Sequence, residues 1–364
     1  MTKTTKPIIF AVGPVTVHPD ILEIGSEEVP YFITDEFYNL MRENETLLKK
    51  YFHAPKDSKV AILTSSGSAA MDATVVSLLT KDDHVLIVNG GTFGQRFIEI
   101  CEAYNIRYTE LKLNYGEALK AAHLEKYATN GFTGLLINMH ETSTGLLYDM
   151  GLIRDFVKKH NLLLIIDAIS AFVSDEIDME YVNADAIITG AQKGLALPPG
   201  ISIVALSPRA INIINRNNAP AYYLNLQKYI RDGMRGAMPF TPAVTLMRQL
   251  NLRLNNFKNG NFKKEQEKIK RDALRFRERI KKYPFAVFSE NPSYCLTPLR
   301  VKKEGLTGED VINYLRENHN IILAASIGDL KEVMFRVGHI GDLKESDYAA
   351  LFAAFDDMVA KNII

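Results

Sequence analysis

The chain has 364 residues, 47% hydrophobic and 24% charged, the balance of an ordinary globular protein with room for one large domain and a smaller one. Its 43 Lys and Arg match its 43 Asp and Glu, and a formal net charge of zero argues against general attraction to nucleic acid or an anionic membrane. Two isolated cysteines, Cys101 and Cys295, supply neither a disulfide framework nor a thiolate metal site, and no apolar run approaches the roughly 20 residues of a membrane span.

The first residues, MTKTTKPIIFAVGP, lack a signal-peptide apolar region and cleavage site, so the cytoplasm is the expected compartment. Between 59 and 206, short apolar runs alternate with helix-like stretches. Strands are expected at 60–63, 84–89, 106–111, 133–139, 162–167, 186–189 and 201–206, with helices at 68–80, 94–104, 117–128 and 151–160. Near-continuous apolar strands separated by helices predict an α/β domain with a mostly parallel, seven-stranded sheet covered on both faces.

After Pro242 the texture changes. A long helical stretch runs through MRQLNLRLNNF and on into KKEQEKIKRDALRFRERIKKYP, where interspersed charges predict a solvent-facing amphipathic helix rather than a nucleic-acid arm. Strands at 285–288, 296–301, 321–323 and 332–338 and helices at 308–319 and 344–360 then make a compact α+β unit. The expected organisation is a segment 1–20 packing near the active site and small domain, a large domain 21–256 and a small domain 257–364.

Ligands of open parallel sheets bind beyond the carboxyl ends of the strands, so the residues leaving each strand carry the functional information. After the first strand, Thr64-Ser65-Ser66-Gly67-Ser68 opens a helix. Its free amides, hydroxyls and positive dipole suit a phosphate, although such residues are also ordinary helix caps. The pattern is neither G-x-G-x-x-G nor G-x-x-x-x-G-K-[ST]. After the second strand, Gly90-Gly91-Thr92-Phe93 offers an aromatic face, either a core anchor or a plate for a planar ring. His140-Glu141-Thr142-Ser143-Thr144-Gly145 fails the H-E-x-x-H spacing, and no metal site is expected. Asp167 ends an apolar run, where an unpaired charge is expensive. It is either a structural cap or salt bridge, or an anion waiting for a cationic ligand group. Last comes TGAQKGLALPPG, which sets Lys193 among small and apolar residues, as a turn lysine or as an amine used chemically. In chain order these loops deliver a phosphate cradle, an aromatic plate, hydroxyls, a carboxylate and a lysine, the complement of pyridoxal 5′-phosphate.

Through FAVGPVTVHPDIL, SSGSAAMDA, GGTFGQR, HETSTG, IIDAISAF, TGAQKGLALPPG, FTPAV and VMFRVGHIG the chain resembles the class V aminotransferases of the fold-type I pyridoxal-phosphate enzymes. It looks most like the branch of 2-aminoethylphosphonate–pyruvate transaminase and alanine(serine)–glyoxylate aminotransferases. The resemblance implies Lys193 as Schiff-base lysine and proton shuttle, Asp167 beneath the pyridine nitrogen and Phe93 on the ring. It implies Ser66, Gly67, Ser68 and Gln192 around the phosphate, with Thr241 reaching it from the second subunit of a homodimer with shared sites. Thr144 would lie near the ring oxygen and Arg336 would grip a substrate carboxylate. The expected activity is ping-pong amino transfer from a small amine or amino acid (2-aminoethylphosphonate, alanine or serine) to pyruvate or glyoxylate. A cysteine desulfurase or lyase, or a non-catalytic cofactor-binding protein, are the alternatives. The chain departs from its relatives at Pro30-Tyr31-Phe32-Ile33-Thr34 and at Met238, which leaves substrate identity open.

Overall fold

The computed structural model describes residues 6–326 and 328–364. Seven strands, apolar and buried except for the edge strand Arg107–Lys112, form one sheet, in the order Lys59–Leu63, Ser202–Leu206, Ala186–Gly190, Leu163–Asp167, Gly134–Asn138, His84–Asn89, Arg107–Lys112. Side chains alternate between faces: Leu86 and Val88 enter one core, Val85 and Ile87 the other. Only Ser202–Leu206 runs antiparallel, with Ile203 opposite both Ile62 and Thr189. The stretch from Ala191 to Ile201 contains no crossover helix, so the chain turns straight back beside the strand it has just left.

A second, five-stranded sheet has the order Ile8–Phe10, Ile321–Ala325, Met334–Gly338, Leu296–Val301, Phe285–Val287. Its core, built on Phe276, Leu299, Phe335, Phe352 and Phe355, is separate from the two cores of the large sheet. Ile8–Phe10, outside the elements expected from sequence, pairs in parallel with Ile321–Leu323. The helix Asn261–Arg279 places Ile269 in a large-sheet core and Phe276 in the small one.

Two further expectations shift. The stretch 117–128 keeps a helix only over Ala121–Glu125, because the Ala118 amide donates to the Glu290 carboxylate at 3.1 Å and Glu117 closes a turn on Asn114. The 17-residue helix Asp35–Tyr51, unmarked in the sequence reading, is capped by Thr34, whose hydroxyl accepts from the Phe37 amide at 3.3 Å. No described helix is long and apolar enough to cross a membrane.

Candidate active site

The loops leaving Leu63, Asn89, Asn138, Asp167 and Gly190 meet at one edge of the large sheet, because parallel strands share their carboxyl ends. At the first loop, Ser66 caps the helix Gly67–Leu78 by accepting from the Ala69 amide at 3.3 Å. The amides of Gly67 and Ser68 precede the first helical hydrogen bond and have no partner among the described residues. A Cβ on Gly67 would stand 2.6 Å from Ile169 Cδ1, so a larger residue here must displace that side chain.

The second loop leads into the helix Thr92–Ala103. Phe93 is half-buried, with Lys193 Nζ 5.2 Å and Arg96 Cζ 4.9 Å from its ring centroid. One turn along, Arg96 Nη1 donates to Ser68 Oγ at 3.0 Å and ties the aromatic plate to the cradle.

Asp167 is buried at the end of its strand. Asn138 Nδ2 donates to Oδ2 and the Ile169 amide to Oδ1, each at 2.8 Å, and no described cation lies within ion-pair distance. Burial pushes its carboxyl above the ordinary range, while the Ile169 amide and the Lys193 charge pull it back.

Lys193 follows, with Nζ 3.4 Å from Thr142 Oγ1, its one hydrogen-bond partner among the described residues. Burial is the main force holding its amine below the ordinary 10.5. Arg336 acts in the same direction, whereas Cys295, Asp167 and Glu141 oppose it. Neighbouring backbone leaves little slack. A Cβ on Gly194 would fall 2.1 Å from the Phe172 carbonyl oxygen, and one on Gly13 2.9 Å from Lys193 Cγ. Val173, packed against Gly194, sits at φ 76° although β-branched, and Ala196 at φ 51°, so conformational strain is held beside the lysine.

Arg336, on the central strand Met334–Gly338 of the small sheet, is buried and reaches across to the large one. Its Nη1 donates to the Thr142 carbonyl at 2.8 Å and its Nη2 to the Ala325 carbonyl, while Nε–H is buried without a partner among the described residues. Burial lowers it to about 10.

Of the residues singled out from sequence, Ser66, Gly67, Ser68, Phe93, Asp167 and Lys193 lie at these strand exits, and Arg336 reaches them through the Thr142 carbonyl. Gln192 is half-buried beside it, with Oε1 3.1 Å from where a Cβ on Gly190 would stand. Thr144 is fully buried, and its hydroxyl donates to the Glu141 carbonyl at 3.3 Å. The hydroxyl facing Lys193 belongs to Thr142, which in turn donates to Ser170 Oγ at 2.6 Å. Neither Thr142 nor Ser170 was singled out, and the run of hydroxyls in HETSTG was the available signal. Thr241 is exposed, and lines an open groove of about 590 Å³ with Val29, Pro30, Tyr31 and Phe32.

The family model described as aminotransferase class V matches residues 31–330. The chain belongs to the class V aminotransferases. A protein named as the 42 kDa subunit of a soluble hydrogenase from Anabaena cylindrica is 28% identical over 96% of this chain and 92% of its own. The L-aspartate–glyoxylate aminotransferase of Paracoccus denitrificans is 25% identical, over 94% of this chain and 88% of its own. Among solved structures, the subgroup IV aspartate aminotransferase of Thermus thermophilus superposes with a TM-score of 0.87 at 27% identity, covering 95% of this chain and 96% of that one. This class V aminotransferase is therefore a transaminase of the α/β, fold-type I architecture.

Proposed function

We propose that this transaminase moves an amino group from a small amino acid to glyoxylate or pyruvate by a ping-pong exchange, using pyridoxal 5′-phosphate held in the crevice around Lys193. One juxtaposition carries the reading: an amine and a carboxylate, Lys193 and Asp167, both lack ion-pair partners among the described residues and stand at the carboxyl ends of two adjacent parallel strands, Asp167 opposite Ile188.

The residues fit the cofactor. Gly67 and Ser68 offer unpartnered amides at a helix start for a phosphate, with Arg96 and Gln192 beside them. Phe93 offers a face for the ring, and Asp167 a buried anion for a protonated ring nitrogen. When bound, the cofactor supplies an electron sink for the carbanion formed at the donor's α-carbon. The chain supplies the rest. Lys193 Nζ, its proton affinity lowered chiefly by burial, would take the α-proton and return it to the carbon on the far side of the transferred nitrogen, and Thr142 Oγ1 orients the lysine amine. Arg336 uses two of its five N–H bonds on carbonyls, and the remaining donors suit a substrate carboxylate. Relatives named for serine–glyoxylate and alanine–glyoxylate transfer support a small amino donor.

The groove beside Thr241, with exposed Val29, Tyr31 and Ile33, supports a homodimer in which Thr241 reaches the partner's phosphate. A desulfurase is the weaker reading: Cys295 is buried and its thiol is pushed up to about 12 by burial, the opposite of a reactive thiolate.

Borohydride reduction followed by peptide mass analysis should place the cofactor's mass on Lys193. The Lys193→Ala variant should lose that adduct and at least about a hundredfold of its turnover. An adduct retained in the variant overturns the assignment. A donor panel of alanine, serine, aspartate and 2-aminoethylphosphonate against glyoxylate and pyruvate identifies the substrates.

A further inference from the structure

One side chain that the proposed chemistry leaves unused is bound more tightly than any that it uses. Glu141 lies in the short hairpin formed by His140–Glu141 and Leu146–Leu147, with none of its surface exposed. The Phe93 amide donates to its carboxylate at 3.1 and 3.3 Å and the Gly94 amide at 2.9 Å. The Ser143 amide and hydroxyl donate to Oε1 at 3.1 and 2.5 Å. Ser143 Oγ accepts in turn from the Thr92 amide at 3.1 Å. The first three amides of the helix Thr92–Ala103 are thus closed by residues some fifty positions along the chain, because Gly91, at the cap position, has no side chain to do it.

Glycine is required there for the same reason. A Cβ on Gly91 would stand 2.3 Å from Ser143 Oγ and 2.7 Å from Glu141 Cδ. A carboxylate in this position also faces the positive end of the helix dipole, where negative charge is favoured. The helix so anchored presents Phe93 toward Lys193 and, one turn later, Arg96 toward Ser68.

We propose that Glu141 is a positioning residue for amino transfer: by fastening the first turn of this helix it sets where the Phe93 ring and the Arg96 guanidinium stand over the cofactor. The proposal rests on the cofactor reading given above. Every group around the carboxylate is a donor, so the position demands acceptors on both oxygens. Glu141→Gln keeps the size and puts an NH₂ against those donors. It therefore displaces the helix start without emptying the core.

The test is a double-mutant cycle on protein reconstituted with pyridoxal 5′-phosphate. Cofactor affinity and the circular dichroism of the cofactor's absorption band are measured for wild type, Glu141→Gln, Phe93→Leu and the double variant. Ser143→Ala serves as a milder second probe should Glu141→Gln fold poorly. Phe93→Leu and Glu141→Gln should each weaken cofactor binding by about tenfold and reduce the dichroic band. The double variant should lose clearly less than the product of the two single losses, because Glu141 acts in part through the ring. Ser143→Ala should shift both readouts in the same direction by a smaller factor. Two independent, multiplying losses, or a lowered melting temperature with binding and dichroism unchanged, overturn the positioning role. Wild-type protein that takes up no pyridoxal 5′-phosphate overturns the cofactor reading and takes this inference with it, an outcome distinct from the other two.

Discussion

His339 shows what a buried titratable group does to a core. It follows the strand carrying Arg336, with Nε2 2.8 Å from Thr297 Oγ1 and Nδ1 3.0 Å from Tyr348 Oη. Burial, reinforced by Arg277 and Lys268, holds its imidazole well below the ordinary 6.5. The folded protein therefore keeps it neutral at pH values where the unfolded chain protonates it. Its contribution to stability is complete above 6.5 and is lost as the pH falls toward the folded value, at about 1.4 kcal/mol per pH unit. His339→Asn should begin about 1–2 kcal/mol less stable at pH 7.5, from the lost hydrogen bonds. It should lose less on acidification, so that urea unfolding at pH 7.5, 6.5 and 5.5 shows the gap closing. A constant gap would mean that the imidazole does not titrate differently on folding.

At the scale of elements, the turn that carries Lys193 is held by close backbone contact rather than by hydrogen bonds from its side chains. Gly194→Ala would drive a methyl group into the Phe172 carbonyl, against a segment already held at positive φ by Val173. The expected loss is about 2–4 kcal/mol, read by denaturant unfolding. A neutral result would show that residues 172–173 can retreat. The strands of the large sheet other than its edge Arg107–Lys112 were legible because their apolar runs are nearly continuous, and their exits marked the candidate site. What escaped was set by contacts distant in sequence. The strand Ile8–Phe10 is three residues long and exists only because Ile321–Leu323 is there to pair with it. In HETSTG, composition marks several hydroxyls, but only the hairpin decides that Thr142 faces the lysine and Thr144 donates to the Glu141 carbonyl. Glu141 read as half of a failed metal motif, because its partners are backbone amides that have no signature in the sequence.

At the scale of the whole molecule, the site lies where two cores meet. Asp175 of the large unit accepts from Ser293 Oγ at 2.6 Å and from the Tyr294 amide at 3.1 Å, and Arg277 donates to the Pro292 carbonyl at 3.3 Å on the same junction. Val29, Tyr31 and Ile33, 59%, 65% and 54% exposed, leave an apolar strip beside Thr241. If a second copy covers that strip, Tyr31→Asp should convert the dimer to monomer in sedimentation and weaken cofactor retention together. Unchanged association would move the interface elsewhere.

The pairing of Ile8 with Ile321 also has a consequence for synthesis. At roughly 5–20 residues per second a ribosome needs on the order of fifteen seconds to a minute to make the intervening chain. Throughout that interval the opening strand has no partner. The stretch that runs on from it, through Gly13 against Lys193 and Val15 hydrogen-bonded to the Gln192 carbonyl at 3.3 Å, has no anchor on that side. The segment that packs against Lys193 thus gains its sheet partner only once residues 321–323 have been made.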